Sequence, residues 1–382
     1  MMYASKRSSF CNHHWKRMRF EEFLGNPKAV ETVRGLVTGS RMPGALLFAG
    51  PDGVGKKTLA LMLAKALNCE RRGSDGNACG ECPACRKSEG MLTAAREDLA
   101  RRRDTKDAQR RAEGLVYFDL QLIEPITKFI LIEQIRQLRS TAYTRPFELA
   151  RRVFIIDEAQ AIHWQAVDLL LKVLEEPPET TSLILICSNA SALRPTIRSR
   201  CLRVPFLPVE DELVRDLIAR EGRVPKPQRE LAARIAAGSV AAAKTFDAAE
   251  YERQRRPWMG FLESVTRARS GVRKEPDWDS LFNSTKALTE KRDEFEETLR
   301  IGYVLLRDLE LVCEYGKSAS IANIDILPHL INWAEPLGLG GIARLKDGLD
   351  EAFRLQVRNV NQQLGLESLA IDLLGKPPVR AT

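Results

Sequence analysis

The feature that most constrains the fold is the stretch from Leu46 to Leu67, which reads LLFAGPDGVGKKTLALMLAKAL. An apolar run at residues 45–49 stops at Gly50, and apolar side chains return with helical spacing from Leu59 onward. This pattern predicts a strand, a glycine-rich loop and a helix. The loop has the GxxxxGK spacing of a P-loop, in which glycines let backbone N–H groups face a phosphate. The stretch therefore predicts an α/β fold built around a phosphate-binding loop.

The candidate phosphate-binding residues lie in one short segment and are Gly50, Gly53, Gly55, Lys56, Lys57 and Thr58. We expect Lys56 to reach the β- and γ-phosphates from the start of the helix. The next position normally holds a serine or threonine that binds magnesium, but here it is Lys57, with Thr58 one place late. We therefore predict that the loop forms and that hydrolysis is impaired.

Two later apolar runs predict further strands that end beside this loop. Residues 153–156 form a buried strand and are followed by Asp157, which would hold magnesium through water, and Glu158, which would polarise the attacking water. The run SLILIC at 182–187 is followed by Ser188 and an asparagine. Ligands of such sheets bind at the carboxyl ends of the strands, so Ser188 or the asparagine is placed to sense a γ-phosphate. Polar residues also end strands for simple turn reasons, and that interpretation stays open.

A cluster of cysteines follows the P-loop helix, at Cys69, Cys79, Cys82 and Cys85. Two CxxC-type steps and a cysteine ten residues upstream suit a closed tetrahedral zinc site. The alternative is four unrelated thiols. A catalytic zinc is disfavoured because no HxE partner accompanies the CPAC segment and four cysteines leave no open position. We therefore predict a structural zinc.

The bulk composition describes an ordinary soluble protein of two or three domains, with 382 residues and a net charge of +8. That charge suits a polyanion partner and a basic enzyme equally. No apolar run reaches the length of a membrane span and no secretory signal precedes the chain's first motifs, so we expect a cytoplasmic protein. Residues 1–17 are expected to be a disordered lead, and the arginine-rich segment 91–113 an exposed helical insertion, with a nucleic-acid stripe as the alternative.

The motifs GPDGVGKKTLA, the four cysteines, IIDEA, LLKVLEEPP and TIRSRC, in this order, resemble the clamp-loader branch of the AAA+ ATPases. Within it the chain is most similar to the delta-prime type of bacterial DNA polymerase III subunit, over about residues 18–245 and more weakly to the C-terminus. The resemblance implies a RecA-like α/β domain at 18–207 with a zinc module inserted at about 69–90. It further implies a small helical lid domain at 208–249 and an all-α collar, or oligomerisation, domain at 250–382.

The resemblance also assigns a role to the SRC motif, here Ser199-Arg200-Cys201. In the family this motif presents an arginine finger to ATP bound by the neighbouring subunit, so Arg200 would act in trans. From the residues alone, a surface salt bridge is the preferred interpretation of Arg200. Members that hydrolyse ATP carry an arginine after a GSx segment of the second domain, but Ala241 holds that position here.

Together, Lys57 and Ala241 imply a subunit that gives an arginine without hydrolysing ATP itself, with ATP as a candidate ligand of a degenerate site. The expected partners are gamma/tau-type and delta-type subunits in a hetero-pentamer, the sliding clamp and primed DNA, with no membrane. Such a chain would be part of a DNA-directed DNA polymerase holoenzyme and would help to load the clamp during replication. Two alternatives remain: a gamma/tau-type motor subunit that hydrolyses ATP, and a free-standing zinc-dependent DNA-binding protein.

Overall fold

The computed structural model describes residues 18–39, 42–105, 118–222, 224–269, 277–291, 294–357 and 361–374. These residues fall into two compact units. One contains the residues up to 213 together with 238–241, and the other contains 214–237 together with the residues from 242 onward. The predicted lead at 1–17 and part of the predicted insertion, at 106–113, lie outside the described residues. The predicted division into lid and collar domains stays a prediction.

A five-stranded sheet forms the centre of the first unit. Its strands are β1 (Ala45–Ala49), β2 (Leu120–Ile123), β3 (Arg152–Ile156), β4 (Thr181–Cys187) and β5 (Leu202–Pro205). They lie in the order β2-β3-β4-β1-β5, and each adjacent pair is parallel. Ala49 pairs with both Cys187 and Pro205, so the carboxyl ends of the three strands β4, β1 and β5 meet at one edge of the sheet. The P-loop follows β1 at this edge.

Helices cover both faces of the sheet, as the nearly continuous apolar strands require. The helices of this unit are α1 (Pro27–Thr38), α2 (Lys56–Asn68), α3 (Pro83–Asp104), α4 (Ile132–Ala142), α5 (Val167–Glu175) and the short α6 (Pro195–Arg198). Alternate residues of β1 enter opposite cores: Phe48 packs in a cluster with Leu59 of α2, and Leu47 packs in another with Leu170 of α5. The predicted α/β fold with a P-loop strand and helix is therefore confirmed.

The chain from residue 211 onward is helical in its described parts, as predicted. Its helices are α7 (Asp211–Glu221), α8 (Arg229–Ala236), α9 (Val240–Thr245), α10 (Ala248–Arg269), α11 (Trp278–Thr289), α12 (Phe295–Tyr315), α13 (Leu327–Val357) and α14 (Gln362–Leu374). The core of the second unit includes Trp258 and Trp333, at 2% and 3% exposure, and Trp278 packs against it. No helix among the described residues combines the length and the apolar character that crossing a bilayer requires.

The segment predicted as an exposed insertion is helical, but it is not exposed all round. Helix α3 begins at the cysteine motif and buries Met91, Leu92, Ala95 and Leu99 in the core beneath the sheet. These residues recur with helical spacing and form an apolar stripe among the arginines. The expectation of a solvated helix was wrong for this face because the charged residues obscured the stripe.

Several predicted boundaries were also wrong. The apolar run at 116–120 predicts a strand, but in the described part of the chain β2 begins at Leu120. The apolar spacing at 160–176 predicts a helix that stops before Pro177, but two 3-10 turns precede α5. The spacing at 288–313 predicts one helix, but these residues are divided between α11 and α12. The apolar spacing at 326–333 and 345–357 predicts two helices, and α13 does consist of two helical segments that meet at a kink at the non-helical Gly338, whose φ is 56°.

Candidate functional site

The P-loop depends on glycines at two positions with left-handed backbone. Gly53 has φ 77°, and Gly55, which precedes the first residue of α2, has φ 99°. A Cβ at Gly55 would lie 2.6 Å from the ring of Phe23, so both conformation and space exclude a side chain. The loop therefore forms as the sequence predicts, between β1 and the N-terminus of α2.

The P-loop lysine contacts the loop's own backbone. The Nζ atom of Lys56 donates hydrogen bonds to the carbonyl oxygens of Gly50 and Pro51, each at 2.5 Å, and lies 3.7 Å from Asp52. Lys56 is only 6% exposed, and burial lowers the pKa of its ammonium although nearby carboxylates oppose that shift. Its donors are thus directed at the loop carbonyls rather than at solvent.

Lys57 joins a compact ion cluster at the same strand ends. Its ammonium forms a hydrogen-bonded ion pair with Glu124, which follows β2, and lies 3.2 Å from the Oδ2 atom of Asp157, which follows β3. Arg103 of α3 donates from Nη2 to the Oε2 atom of Glu124 at 2.7 Å and to the carbonyl of Pro125 at 3.0 Å. Two cations and two carboxylates thus neutralise one another beside the P-loop.

The electrostatics of this cluster favour the charged forms of Lys57 and Glu124. Burial lowers the pKa of the Lys57 ammonium, but the carboxylates of Glu124 and Asp157 outweigh burial and raise that pKa above its usual range. Burial raises the pKa of the Glu124 carboxyl, but Lys57 and Arg103 outweigh it and hold that pKa below its usual range. The ammonium of Lys57 therefore supplies the positive charge that the neighbouring carboxylates require.

The other predicted nucleotide residues lie around the same edge. Thr58 is half-buried in α2, and Ser188 is half-buried directly after β4. Glu158 is exposed and adopts a left-handed backbone with φ 53°, which is uncommon for a non-glycine residue, and its N–H donates to the Oδ1 atom of Asp157 at 3.0 Å. The structure thus gathers the P-loop, Asp157 and Ser188 at the carboxyl ends of the strands.

The segment 238–241 contacts the P-loop directly. The N–H of Ala241 donates to the carbonyl of Gly53 at 3.1 Å, and a Cβ at Gly53 would lie 2.0 Å from the Oγ atom of Ser239. A longer side chain at position 241 would therefore start beside the phosphate-binding loop. Alanine supplies no charge there.

The four predicted cysteine ligands come together. Their sulfur atoms all lie within 4.8 Å of one another, and the pairs Cys69–Cys82 and Cys79–Cys85 are each 4.0 Å apart. Four sulfurs held tetrahedrally at about 2.3 Å from a zinc ion would be about 3.8 Å apart, so the cluster fits that ion closely. The residues present are therefore a suitable donor set for a closed zinc site.

The backbone around the cluster favours thiolates at two of the four positions. The N–H groups of Cys79, Cys82 and Cys85 each donate to a cysteine sulfur, at 3.2 to 3.4 Å. Burial raises the pKa of the Cys79 thiol, but hydrogen bonds from backbone N–H groups outweigh burial and lower it to about 6. The pKa of Cys82 is also lowered, and its sulfur caps the start of α3.

The predicted arginine finger lies at a different corner of the sheet. Arg200 follows α6, and its side chain is 36% exposed. Its Nη2 atom lies 2.7 Å from the Oε1 atom of Glu175, which is 48% exposed, and its Nη1 atom donates to the carbonyl of Thr196 at 3.0 Å. The salt bridge expected from the residues alone is therefore present, and the Arg200 side chain is still partly exposed to solvent.

Three residues of these sites were missed from the sequence: Arg103, Glu124 and Glu175. Glu124 follows the apolar run LQLI of β2 just as Asp157 follows RVFII of β3. Functional residues of such sheets lie at the carboxyl ends of the strands, so a correct position for β2 would have identified Glu124. Arg103 and Glu175 lie on helical surfaces where many charged residues are merely solvated. No local pattern distinguishes them.

Comparison with known proteins places these features in a family. Residues 25–210 match the family described as "DNA polymerase III, delta subunit". The chain is 30% identical over 205 residues to the DNA polymerase III subunit gamma/tau of Mycobacterium bovis, covering 53% of this chain and 31% of that protein. It is 30% identical over 231 residues to the DNA polymerase III subunit tau of Escherichia coli, covering 59% of this chain and 32% of that one. The chain thus spans about a third of the length of these relatives.

Among solved structures, a DNA polymerase III gamma subunit-related protein from Thermotoga maritima aligns with a TM-score of 0.43 and 18% identity, covering 90% of this chain and 98% of that one. The family match covers the P-loop, the cysteine cluster, the Asp157 strand and the Arg200 corner. The two relatives are DNA polymerase III subunits. Residues 25–210 of the chain thus belong to the clamp-loader family of AAA+ proteins.

Proposed function

We propose that this chain is a delta-prime-type subunit of a bacterial DNA polymerase III clamp loader. It would not hydrolyse ATP itself but would supply Arg200 in trans to a nucleotide site on a neighbouring subunit. In that assembly it would help to place the sliding clamp on primed DNA, with gamma/tau-type and delta-type subunits as its partners. The protein would act in the cytoplasm, as part of the polymerase holoenzyme.

The observation that carries this proposal is the ion cluster of Lys57. A magnesium ion beside a P-loop is held by a hydroxyl after the loop lysine and by a carboxylate at a neighbouring strand end. Here an ammonium replaces the hydroxyl and pairs with the carboxylates of Glu124 and Asp157. A divalent cation would have to displace a covalently attached charge, so a bound magnesium nucleotide is strongly disfavoured.

The role of Arg200 follows from the chemistry of phosphoryl transfer. Charge develops on the oxygens of the transferred phosphoryl group, and a guanidinium has a planar set of N–H donors that can bridge two of them. Arg200 is partly exposed two residues before the start of β5, which leaves its side chain accessible to another subunit. Its contribution would be to stabilise this charge at a neighbour's site.

We also propose that the four cysteines hold a structural zinc. When bound, the ion would hold the loop between α2 and α3 in place by four thiolate bonds. Cys82 caps α3, and Arg103 in the last turn of that helix reaches Glu124. The zinc module would therefore also support the ion cluster beside the P-loop.

The decisive experiment uses an assembly reconstituted with the clamp and primed DNA. Arg200→Ala should remove one site from the fast phase of ATP hydrolysis, because such arginines contribute ~10³ to 10⁵ in rate. It should also slow clamp loading, while total hydrolysis falls only in part. Arg200→Lys should restore little because an ammonium lacks the planar fork.

Arg194→Ala, which removes another exposed arginine from the same segment, is the matched control and should behave as wild type. Wild-type loading by Arg200→Ala assemblies of normal size would refute the role in trans.

A second candidate is a gamma/tau-type motor subunit, since the relatives found include gamma/tau, gamma and tau subunits. The two functions differ in the activity of the isolated chain. We expect no ATPase above background from the purified protein, and none from Lys57→Thr, because Ala241 still provides no charge to the nucleotide. Robust turnover by the wild-type chain would favour the motor subunit instead.

A further inference from the structure

The partner of Arg200 within its own chain is an unassigned feature of this corner. Glu175 is the last residue of α5, and its Oε1 atom lies 2.7 Å from the Nη2 atom of Arg200. The second contact of the guanidinium is the backbone carbonyl of Thr196, at 3.0 Å from Nη1. In the described part of the chain, Glu175 is therefore the side chain that forms an ion pair with Arg200.

Both partners are attached to well-anchored backbone. Helix α5 ends at Glu175, and Pro177, two residues on, packs so closely on Gly44 that a Cβ there would lie 2.1 Å from its Cγ atom. A proline also disfavours helical backbone at the residue before it, which fixes where α5 stops. On the other side, Ile197 of α6 is 1% exposed and anchors the turn that leads to Arg200. The two side chains thus meet at the surface from fixed positions.

This ion pair is better suited to orientation than to stability. Pairs as exposed as this one, at 36% and 48%, contribute little to folding because water screens the charges. An arginine side chain without contacts would sample many rotamers. Binding a phosphate would restrict it to one of them and would cost that conformational entropy. Two contacts on adjacent nitrogens limit that sampling. The hydrogen bond to Thr196 uses one of the five N–H groups of the guanidinium and the ion pair with Glu175 engages Nη2, so other N–H groups remain for an incoming anion.

We propose that Glu175 is the positioning residue of Arg200, which holds the guanidinium in the orientation that a neighbour's transferred phosphoryl group requires. This inference rests on the proposed function of Arg200 in trans. Glu175 touches no nucleotide and acts through the arginine alone. The N–H groups that the pair does not engage remain available to the phosphate oxygens, whose greater charge makes them strong acceptors.

The test measures pre-steady-state ATP hydrolysis in the reconstituted assembly with its clamp and primed DNA. Glu175→Ala should slow the phase that belongs to the site facing Arg200 by about tenfold, because misplacing a catalytic group costs less than deleting it. The concentration of ATP at half-maximal rate should not change. Glu175→Gln keeps an oxygen that can accept from Nη2 and should stay within about twofold of wild type. Glu148→Ala, which breaks the exposed pair with Lys87, is the matched control and should have no effect.

A double substitution separates positioning from any independent effect. If Glu175 acts only through Arg200, then Glu175→Ala should cause no further loss in an Arg200→Ala background. A further loss there, or a wild-type or raised rate for Glu175→Ala alone, would overturn the positioning role while the function of Arg200 stood. A wild-type rate for Arg200→Ala would overturn both proposals. Size-exclusion and melting measurements on each variant exclude failed assembly as the cause.

Discussion

The P-loop pocket, which contains Lys56 and Lys57, and the Arg200 corner, where Arg200 meets Glu175, lie in the same unit of the chain. They use their positive charges in opposite ways. In the pocket, Lys56 is 6% exposed and the side chain of Lys57 is 23% exposed, and both are directed at acceptors of their own chain. At the corner, Arg200 is 36% exposed and is held by one exposed carboxylate and one carbonyl. A charge fixed among buried carboxylates supports the fold, whereas a weakly paired surface charge remains available to a partner.

The comparison gives a rule that can be tested by substitution. Changes in the pocket should lower stability, with little effect on a neighbour's chemistry. Changes at the corner should lower that chemistry with little effect on stability. A variant that does the opposite would show that the two regions have been interpreted the wrong way round.

The largest effect is expected from removing metal from the cysteine cluster, whose helix α3 carries Arg103 to the pocket. Zinc binding contributes on the order of 10 kcal/mol to the folding of small zinc modules. Purified protein should contain one zinc per chain by elemental analysis, and chelation or Cys85→Ala should expose the sites after Arg71 and Arg72 to trypsin. Cys313→Ala, a half-buried thiol outside the cluster, is the control and should retain the metal. Metal-free protein that resists trypsin equally well would contradict the prediction.

The next effect is expected from Lys57→Met, which removes the central cation of the pocket but keeps the length of the side chain. The carboxylates of Glu124 and Asp157 would lose their shared partner, and Glu124 is 8% exposed. Breaking a buried ion pair costs about 3 to 5 kcal/mol, so we expect the free energy of unfolding to fall by about 3 kcal/mol. Urea denaturation measures it. Lys87→Met, which breaks an exposed pair, should change it by less than about 0.5 kcal/mol. A Lys57→Met protein as stable as wild type would show that the cluster does not support the fold.

A sharper test is the pH dependence of the difference in free energy of unfolding between wild type and Lys57→Met. The pKa of Glu124 is lower in the folded protein than in the unfolded chain, so its contribution is present above about pH 4.3 and is lost as the pH falls through the folded value. The pKa of Lys57 is raised on folding, so its contribution is complete below about pH 10.4 and is lost as the pH rises through the folded value. The difference in free energy of unfolding between wild type and Lys57→Met should therefore be largest from about pH 5 to 10. A difference that increased in acid would indicate that Glu124 is not the partner of Lys57.

The sequence predicted the two regions unequally, for a physical reason. The P-loop, the strand before Asp157 and the four cysteines are contiguous patterns, in which local spacing alone dictates geometry. The neutralisation of the pocket depends on Glu124, which pairs with Lys57, and on Arg103, which pairs with Glu124, and both come from other elements. The sequence predicts that Lys57 disfavours magnesium, but it does not identify the carboxylates with which Lys57 pairs.

Helix boundaries and contacts between helices are likewise hard to predict from local sequence patterns. The end of α5 was predicted because Pro177 stops it, but its start was placed too early since neither glycine nor proline separates the turn at Trp164 from the helix. Glu175 was visible in the sequence as one charged residue among many on a helix surface. Its contact with Arg200 depends on where α5 and α6 lie in the folded chain, and Pro177 after α5 packs on the distant Gly44.

The smallest effect is expected from Arg200→Ala on the stability of the isolated chain, and this result would complete the comparison. The pair with Glu175 is exposed on both sides, and pairs of this kind are worth about 0 to 1 kcal/mol. We expect the free energy of unfolding to change by less than about 0.5 kcal/mol, measured by urea denaturation beside Arg152→Ala. Arg152 is fully buried and paired with Asp119 at 3.1 Å, so its loss should cost about 3 to 5 kcal/mol and shows that the assay can detect a broken pair. If Arg200→Ala were as destabilising as Arg152→Ala, the arginine would be a structural residue, and any loss of hydrolysis in the assembly would have to be attributed to misfolding rather than to a charge given in trans.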